Sequence, residues 1–137
     1  MASVKGRDTR PEIALRKGLW ALGYRYRLHP ESLVGRPDLV FRRARVAVFI
    51  DGDFWHGNPE EWRRRGKASM AAMFPSRTEW WVEKIQRNIA RDRDVNRRLR
   101  ADGWRIVRVW ESAIATNGEA AIRRVARIVR GRQGEGE

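Results

Sequence analysis

The stretch from Pro37 to Ile50 most narrows the folds open to this chain. It reads Pro37-Asp-Leu-Val-Phe41, a turn from Arg42 to Arg45, and then Val46-Ala-Val-Phe-Ile50. Two apolar runs joined by so short and charged a turn form an antiparallel hairpin, and neither run shows the polar alternation of a strand with one wet face. The hairpin belongs at the centre of a sheet, covered on both sides. Flanking segments supply the covering layers. Thr9-x-x-Glu12 has capping-box spacing, Pro11 falls in the first turn, Leu15, Leu19 and Leu22 share one stripe, and Gly23 supplies a stop, which predicts a helix over residues 10 to 22. Tyr24 to Leu28 alternates with period two and is predicted as a strand, followed by a loop through Pro30 and Gly35. From Asp51 to Pro75 the pattern breaks into Gly, Pro, Asn and the basic run Arg63-Arg-Arg65, the mark of a long functional loop. Ser76-x-x-Glu79 is a second capping box, opening a helix to about Ala101 that Gly103 ends. Trp104 to Trp110 is the next strand, and Asn117 caps a last helix with Ile122, Val125 and Val129 inward. The predicted fold class is α/β, a mixed sheet flanked by helices, in the order helix, three strands, helix, strand, helix. Residues 1 to 8 are expected to form a flexible basic arm, 9 to 130 a single domain and 131 to 137 a disordered tail. Trp20, Trp104 and Trp110 are assigned to the core.

Charge narrows the function. The 137 residues hold 30 Lys and Arg against 17 Asp and Glu, a formal net charge of +13, which points to a polyanionic partner. No apolar run approaches the ~18 residues of a membrane span, and no apolar stretch follows the basic N-terminus, so the cytoplasm is the expected location and a membrane is not a partner. Cysteine is absent, which removes disulfides, thiolate nucleophiles and Cys-based zinc sites. With two histidines, a metal would lean on carboxylate and carbonyl oxygens, the ligands of magnesium or manganese.

Asp38 follows Pro37 at the start of a buried strand, where an ionised carboxylate is costly unless paired or metal-bound; the plainer alternative is a residue ending a Gly-Arg-Pro turn. Glu12 is turned toward the core side by its spacing from Leu15, Leu19 and Leu22, either to join a metal centre or to close its capping box. His56 lies in Asp51-Gly-Asp-Phe-Trp-His56-Gly, just beyond the central strand, where a neutral imidazole deprotonates water if a partner orients it. Asp92 is the candidate partner, on the inward row of the long helix with Ile85, Ile89, Asn96 and Leu99; its alternative is a pair with Arg91, Arg93 or Arg97. Asp51 is left open as an oxygen ligand, and Asp53 reads as turn chemistry. Phe54, Trp55, Trp80 and Trp81 converge on a basic region, as wedges for a base stack or as a small core under the loop.

Thr9-Arg-Pro-Glu12, Gly35-Arg-Pro-Asp38, Phe54-Trp55-His56, Thr78-Glu-x-Trp81, Lys84-Ile85-x-x-Asn88, Arg91-Asp92-Arg93, Gly103-Trp-Arg and Val109-Trp110-Glu111 stand in the order and approximate spacing of the very-short-patch-repair mismatch endonucleases. The chain resembles that family over roughly residues 7 to 115. The resemblance implies a fold of the type II restriction endonuclease class, a variant of the PD-(D/E)xK superfamily, and Mg2+-dependent nicking of one strand beside a T:G mismatch, with Mn2+ an alternative metal. It implies that Asp38 bridges metal, that His56 is the general base, and that Glu12 and Asp92 support them. It further implies that Phe54, Trp55 and Trp81 wedge into DNA, which Arg7, Lys84 and Asn88 also contact. The family's metal-coordinating threonine is Ile50 here, so a backbone carbonyl is the ligand expected there, with Asp51 following. The family's zinc positions read Asp53, Asn58, Glu60 and Ser112, so no zinc is expected. The expected partner is mismatched double-stranded DNA bound by a monomer near the bacterial nucleoid, with repair-pathway proteins as further partners. Two alternatives stay open: the same nuclease with a different DNA target, and a non-catalytic DNA-binding module.

Overall fold

A computed structural model describes residues 8–135. The expected basic arm, including Arg7, lies outside the described residues, apart from Asp8. Helix α1 (Arg10–Ala21) begins where the capping box predicts, with the Thr9 hydroxyl accepting the Glu12 N–H at 3.4 Å. A four-stranded sheet follows in the spatial order β1 (Arg27–Leu28), β2 (Leu39–Phe41), β3 (Val46–Asp51), β4 (Arg105–Trp110). The first three strands are antiparallel neighbours and β4 runs parallel to β3, so the sheet is mixed as expected. Helix α3 (Thr78–Ala101) connects the parallel pair, α4 (Glu111–Thr116) follows β4 directly, and α5 (Gly118–Glu135) closes the chain.

Side-chain alternation along β3 divides the core into two layers. Val46 and Val48 pack with Leu15, Leu19, Val125 and Val129 of α1 and α5. Ala47 and Phe49 pack with Val95 and Leu99 of α3. The same alternation carries two polar residues to the α3 face: Asp51, two positions beyond Phe49, and Arg108, paired in register with Phe49.

Several local expectations are corrected. The strand predicted over 24 to 28 shortens to two residues. The 51 to 75 stretch is no open loop: it holds α2 (Pro59–Arg64), capped by Asn58, and a 3-10 turn over Ala71–Met73. Its arginines pair with acids of α2, Arg63 with Glu60 at 2.7 Å, and Arg64 and Arg65 with Glu61. Ser76 does not cap α3. The helix starts after Arg77, held at φ 55°, and Thr78 donates its hydroxyl to the Phe74 carbonyl. The tail stays helical to Glu135, and Arg132 anchors it on the Ala44 and Gly103 carbonyls at 3.1 and 2.9 Å. Trp20 is 50% exposed rather than core, its ring covered by the Arg25 guanidinium at 3.6 Å. No helix among the described residues is long and apolar enough to cross a membrane.

Candidate active site

Asp38 stands one residue before β2, so the antiparallel register brings it against the end of β3. Its N–H donates to the Val48 carbonyl at 2.9 Å, and its Oδ2 accepts the Ile50 N–H at 2.7 Å. Burial pushes the Asp38 carboxyl up to about 7; the Ile50 N–H opposes this, while the charges of Glu12 and Asp51 add to it and His56 works against them. Among the described residues no Lys or Arg pairs with Asp38, and the basic side chain nearest it is His29, with Nδ1 at 3.8 Å from Oδ1.

Each side of Asp38 holds a cluster of acids around a histidine. On the α1 side, Glu12 is 1% exposed and receives the Asp8 N–H at 3.1 Å, Arg16 Nη1 at 2.8 Å and a contact from His29 Nε2 at 2.9 Å. Its capping box is therefore only half closed, because the carboxylate turns to these partners instead of the Thr9 N–H. On the α3 side, His56 Nδ1 meets Asp92 Oδ2 at 2.6 Å. A carboxylate accepts only, which puts the proton on Nδ1 and leaves Nε2 of a neutral ring free to take one. Burial alone would lower the His56 pKa; the Asp92 hydrogen bond and the charges of Asp51 and Asp92 outweigh it and raise the value above 6.5. Gly57 secures this arrangement: it adopts φ +71°, and a Cβ there would stand 2.5 Å from Ile89 Cδ1 of α3.

Comparison with known proteins decides the class. Residues 1–64 match the family model for the DNA mismatch endonuclease Vsr. The chain is 42% identical over 134 residues to a Type II nicking enzyme of Neisseria meningitidis serogroup C, covering 98% of this chain and 86% of that protein. It is 42% identical to a Type II nicking enzyme of Haemophilus parainfluenzae, covering 86% and 79%. With the DNA mismatch endonuclease Vsr of Escherichia coli K12 it shares 37% identity, covering 83% and 68%. The chain belongs to the DNA mismatch endonuclease Vsr family. By class it is an endodeoxyribonuclease, and its sheet and helices are those expected of the family's restriction-endonuclease-like fold.

In this Vsr-family chain, His29 links Glu12 to Asp38, and His56 links Asp51 to Asp92. Asn88 donates to the Trp55 carbonyl at 3.0 Å and so fixes the segment bearing the aromatics. Phe54, Trp55 and Trp81 form one half-buried cluster with Phe74, in which Trp81 stacks on Phe74 at 5.3 Å; Trp80, at 40% exposed, is its outer member. Lys84 Nζ lies 5.8 and 5.3 Å from the Trp55 and Trp80 ring centres. Asp53 is more than a turn residue: its carboxylate accepts from Asn58 at 2.7 Å and from the Ser112 N–H at 3.0 Å, tying the loop to α4, and the Glu60 N–H caps onto Asn58 at 3.1 Å. Asp53, Asn58, Glu60 and Ser112, the positions that the resemblance aligns with a zinc site, are thus joined here by hydrogen bonds.

Sequence reasoning missed His29, Arg16 and Arg108. Arg108 Nη1 lies 3.0 Å from Asp51 Oδ1, 3.1 Å from Asp51 Oδ2 and 3.6 Å from Asp92 Oδ1, and its Nε donates to Asn96 at 2.8 Å. An arginine between Val107 and Val109 was the available signal, since a cation on an inward strand position needs acids opposite it.

Proposed function

We propose that this chain nicks one strand of duplex DNA beside a T:G mismatch or a related lesion, using Mg2+ or Mn2+ held by Asp38 and the Ile50 carbonyl. The observation that carries the reading is the pairing of a partly buried carboxylate, which no Lys or Arg among the described residues neutralises, with a histidine oriented by a second carboxylate. The residues fit a hard divalent cation: Asp38 offers oxygen, and burial together with the charges of Glu12 and Asp51 pushes its carboxyl up to about 7, a cost of ionisation that a bound cation would offset. An ion bound there supplies charge neutralisation at the scissile phosphate.

The remaining work belongs to the chain. Asp92 holds the His56 ring in the tautomer whose Nε2 takes a proton from the attacking water. Glu12, gripped by Arg16 and His29, keeps the far side of Asp38 negative. Phe54, Trp55 and Trp81 supply the wedge, and a mispaired step costs less to unstack than a matched one, which favours the lesion. Lys84, Asn88 and Arg7 serve the backbone around it, Asn88 by bracing Trp55. The chain acts as a monomer in the bacterial cytoplasm, with repair-pathway proteins as further partners.

The test is a cleavage screen of labelled duplexes carrying every mismatch and the common deaminated bases in one sequence context, in Mg2+ and in EDTA. A nick confined to one strand at T:G or a deaminated base, and absent in EDTA, is the expected result. Because relatives in Neisseria and Haemophilus are named only as nicking enzymes, a nick at another lesion would redirect the target while keeping the chemistry. Binding without a nick on any substrate would leave a DNA-binding module.

A further inference from the structure

Two groups among the described residues have the spacing of a metal site: Asp8, Glu12 and His29 on one flank of Asp38, and Asp51, His56 and Asp92 on the other. Each already contains a cation. Arg16 Nη1 lies 2.8 Å from both Asp8 and Glu12. Arg108 Nη1 lies 3.0 Å from Asp51 and 3.6 Å from Asp92, and its guanidinium stacks over Phe49 at 4.1 Å.

We infer that Arg108 is an internal replacement for a second divalent ion, so that the centre takes one ion, at Asp38, and the Asp51 carboxylate is not a metal ligand. This rests on the reading of Asp38 given above and deepens it.

Three observations support it. Arg108 is positioned from three directions, by the Asp51 carboxylate, by Asn96 and, at 3.4 Å, by the Asp92 carbonyl, so its charge is fixed rather than swinging on a flexible stem. Its side chain is only 19% exposed, which excludes most of the water that would hydrate a competing ion. The third observation is chemical. A metal held by Asp51, His56 and Asp92 would coordinate the imidazole and occupy a lone pair on the ring that the reaction needs, or displace the Asp92 hydrogen bond that orients it. A guanidinium donates hydrogen bonds only, so it neutralises the two carboxylates and leaves the ring nitrogens alone. Arg108 is thus a positioning residue: it holds Asp51 and Asp92 around His56 and supplies the charge an ion would otherwise bring.

The test counts bound Mn2+ by the loss of the free-ion electron paramagnetic resonance signal, on the full chain and its variants, with near-ultraviolet circular dichroism to confirm the fold. Wild type is expected to bind one ion and Arg108→Met two, the added site at least tenfold weaker, while Arg108→Lys returns the count to one. A merely structural role for Arg108 would not add an ion. Two ions on wild type, or one on a folded Arg108→Met protein, overturns the inference. If Arg108→Met does not fold, crystals of the wild-type protein soaked in Mn2+ decide it: an anomalous peak at coordinating distance from Asp51 or Asp92 overturns it, and a single peak at Asp38 upholds it. Asp38→Asn tests the underlying reading separately, since loss of the one wild-type ion is required there whatever Arg108 does.

Discussion

In the proposed reaction, Asp38 is the side chain on which metal binding depends. Replacing it with Ala is expected to abolish nicking, by at least about three orders of magnitude, while duplex affinity changes by less than about threefold, because the wedge and the basic surface are untouched. Quench-flow nicking assays and fluorescence anisotropy on the same duplex measure the two. Titration gives a second expectation. The Asp38 carboxyl is pushed up to about 7 and His56 is raised above 6.5, and both act deprotonated, so at limiting Mg2+ the nicking rate climbs as pH rises through neutrality. Raising Mg2+ favours the ionised carboxylate and moves the lower limb to more acid pH; a profile that ignores metal concentration would separate Asp38 from the metal. Stability runs the other way. A carboxyl whose folded value lies above its ordinary 3.8 contributes stability below that pH and loses it as pH rises toward 7. In EDTA, Asp38→Asn is therefore expected to be more stable than wild type at pH 8, by on the order of 2 kcal/mol, with a smaller margin at pH 5. Urea denaturation at the two pH values reads the difference.

At the scale of elements, what was legible in the sequence was local. The Thr9 cap, the Leu15 and Leu19 stripe and the Arg42 to Arg45 turn each act within a few residues, so α1 and the central hairpin follow from spacing alone. His56 and Asp92, 36 residues apart, were reachable because His56 directly follows the central strand and Asp92 falls on the inward row of α3. Arg108 and Asp51 are 57 apart and meet only because β4 lies parallel to β3 in a register that no local pattern encodes. Short helices escaped for a related reason: α2 and α4 have six residues each, too few to display a period, and hold by Asn58 and by packing on neighbours. Gly57 tests how the loop serves α3. Gly57→Ala forces a side chain into φ +71° and a Cβ within 2.5 Å of Ile89, which is expected to cost about 1–3 kcal/mol and to lower kcat at least tenfold by displacing His56, with KM for DNA changed less. Thermal unfolding and steady-state kinetics on a nickable duplex check both halves. An unchanged kcat would mean that the turn does not set the imidazole.

Across the whole molecule, a formal charge of +13 makes DNA binding an electrostatic event before it is a specific one. Charge count alone overstates this, because many arginines are already spent on internal acids. Arg64 and Arg65 pair with Glu61, Arg97 and Arg98 with Asp94, Arg16 with Glu12 and Arg108 with Asp51. Lys84 differs: it lies over the Trp55 and Trp80 rings with its ammonium beside the aromatic cluster, where a phosphate flanking an opened step would pass. Lys84→Ala is expected to weaken binding to matched and mismatched duplexes alike, and to lower the slope of log Kd against log salt by about one, the share of a single released counterion. Arg63→Ala, which removes a cation already balanced by Glu60, is expected to leave that slope within experimental scatter. Anisotropy titrations from 50 to 200 mM NaCl, the range over which about six phosphate contacts would cost roughly a thousandfold in affinity, distinguish the two variants. If both shift the slope equally, total charge and not its placement draws this enzyme to DNA, and Lys84 has no special part in seating the wedge.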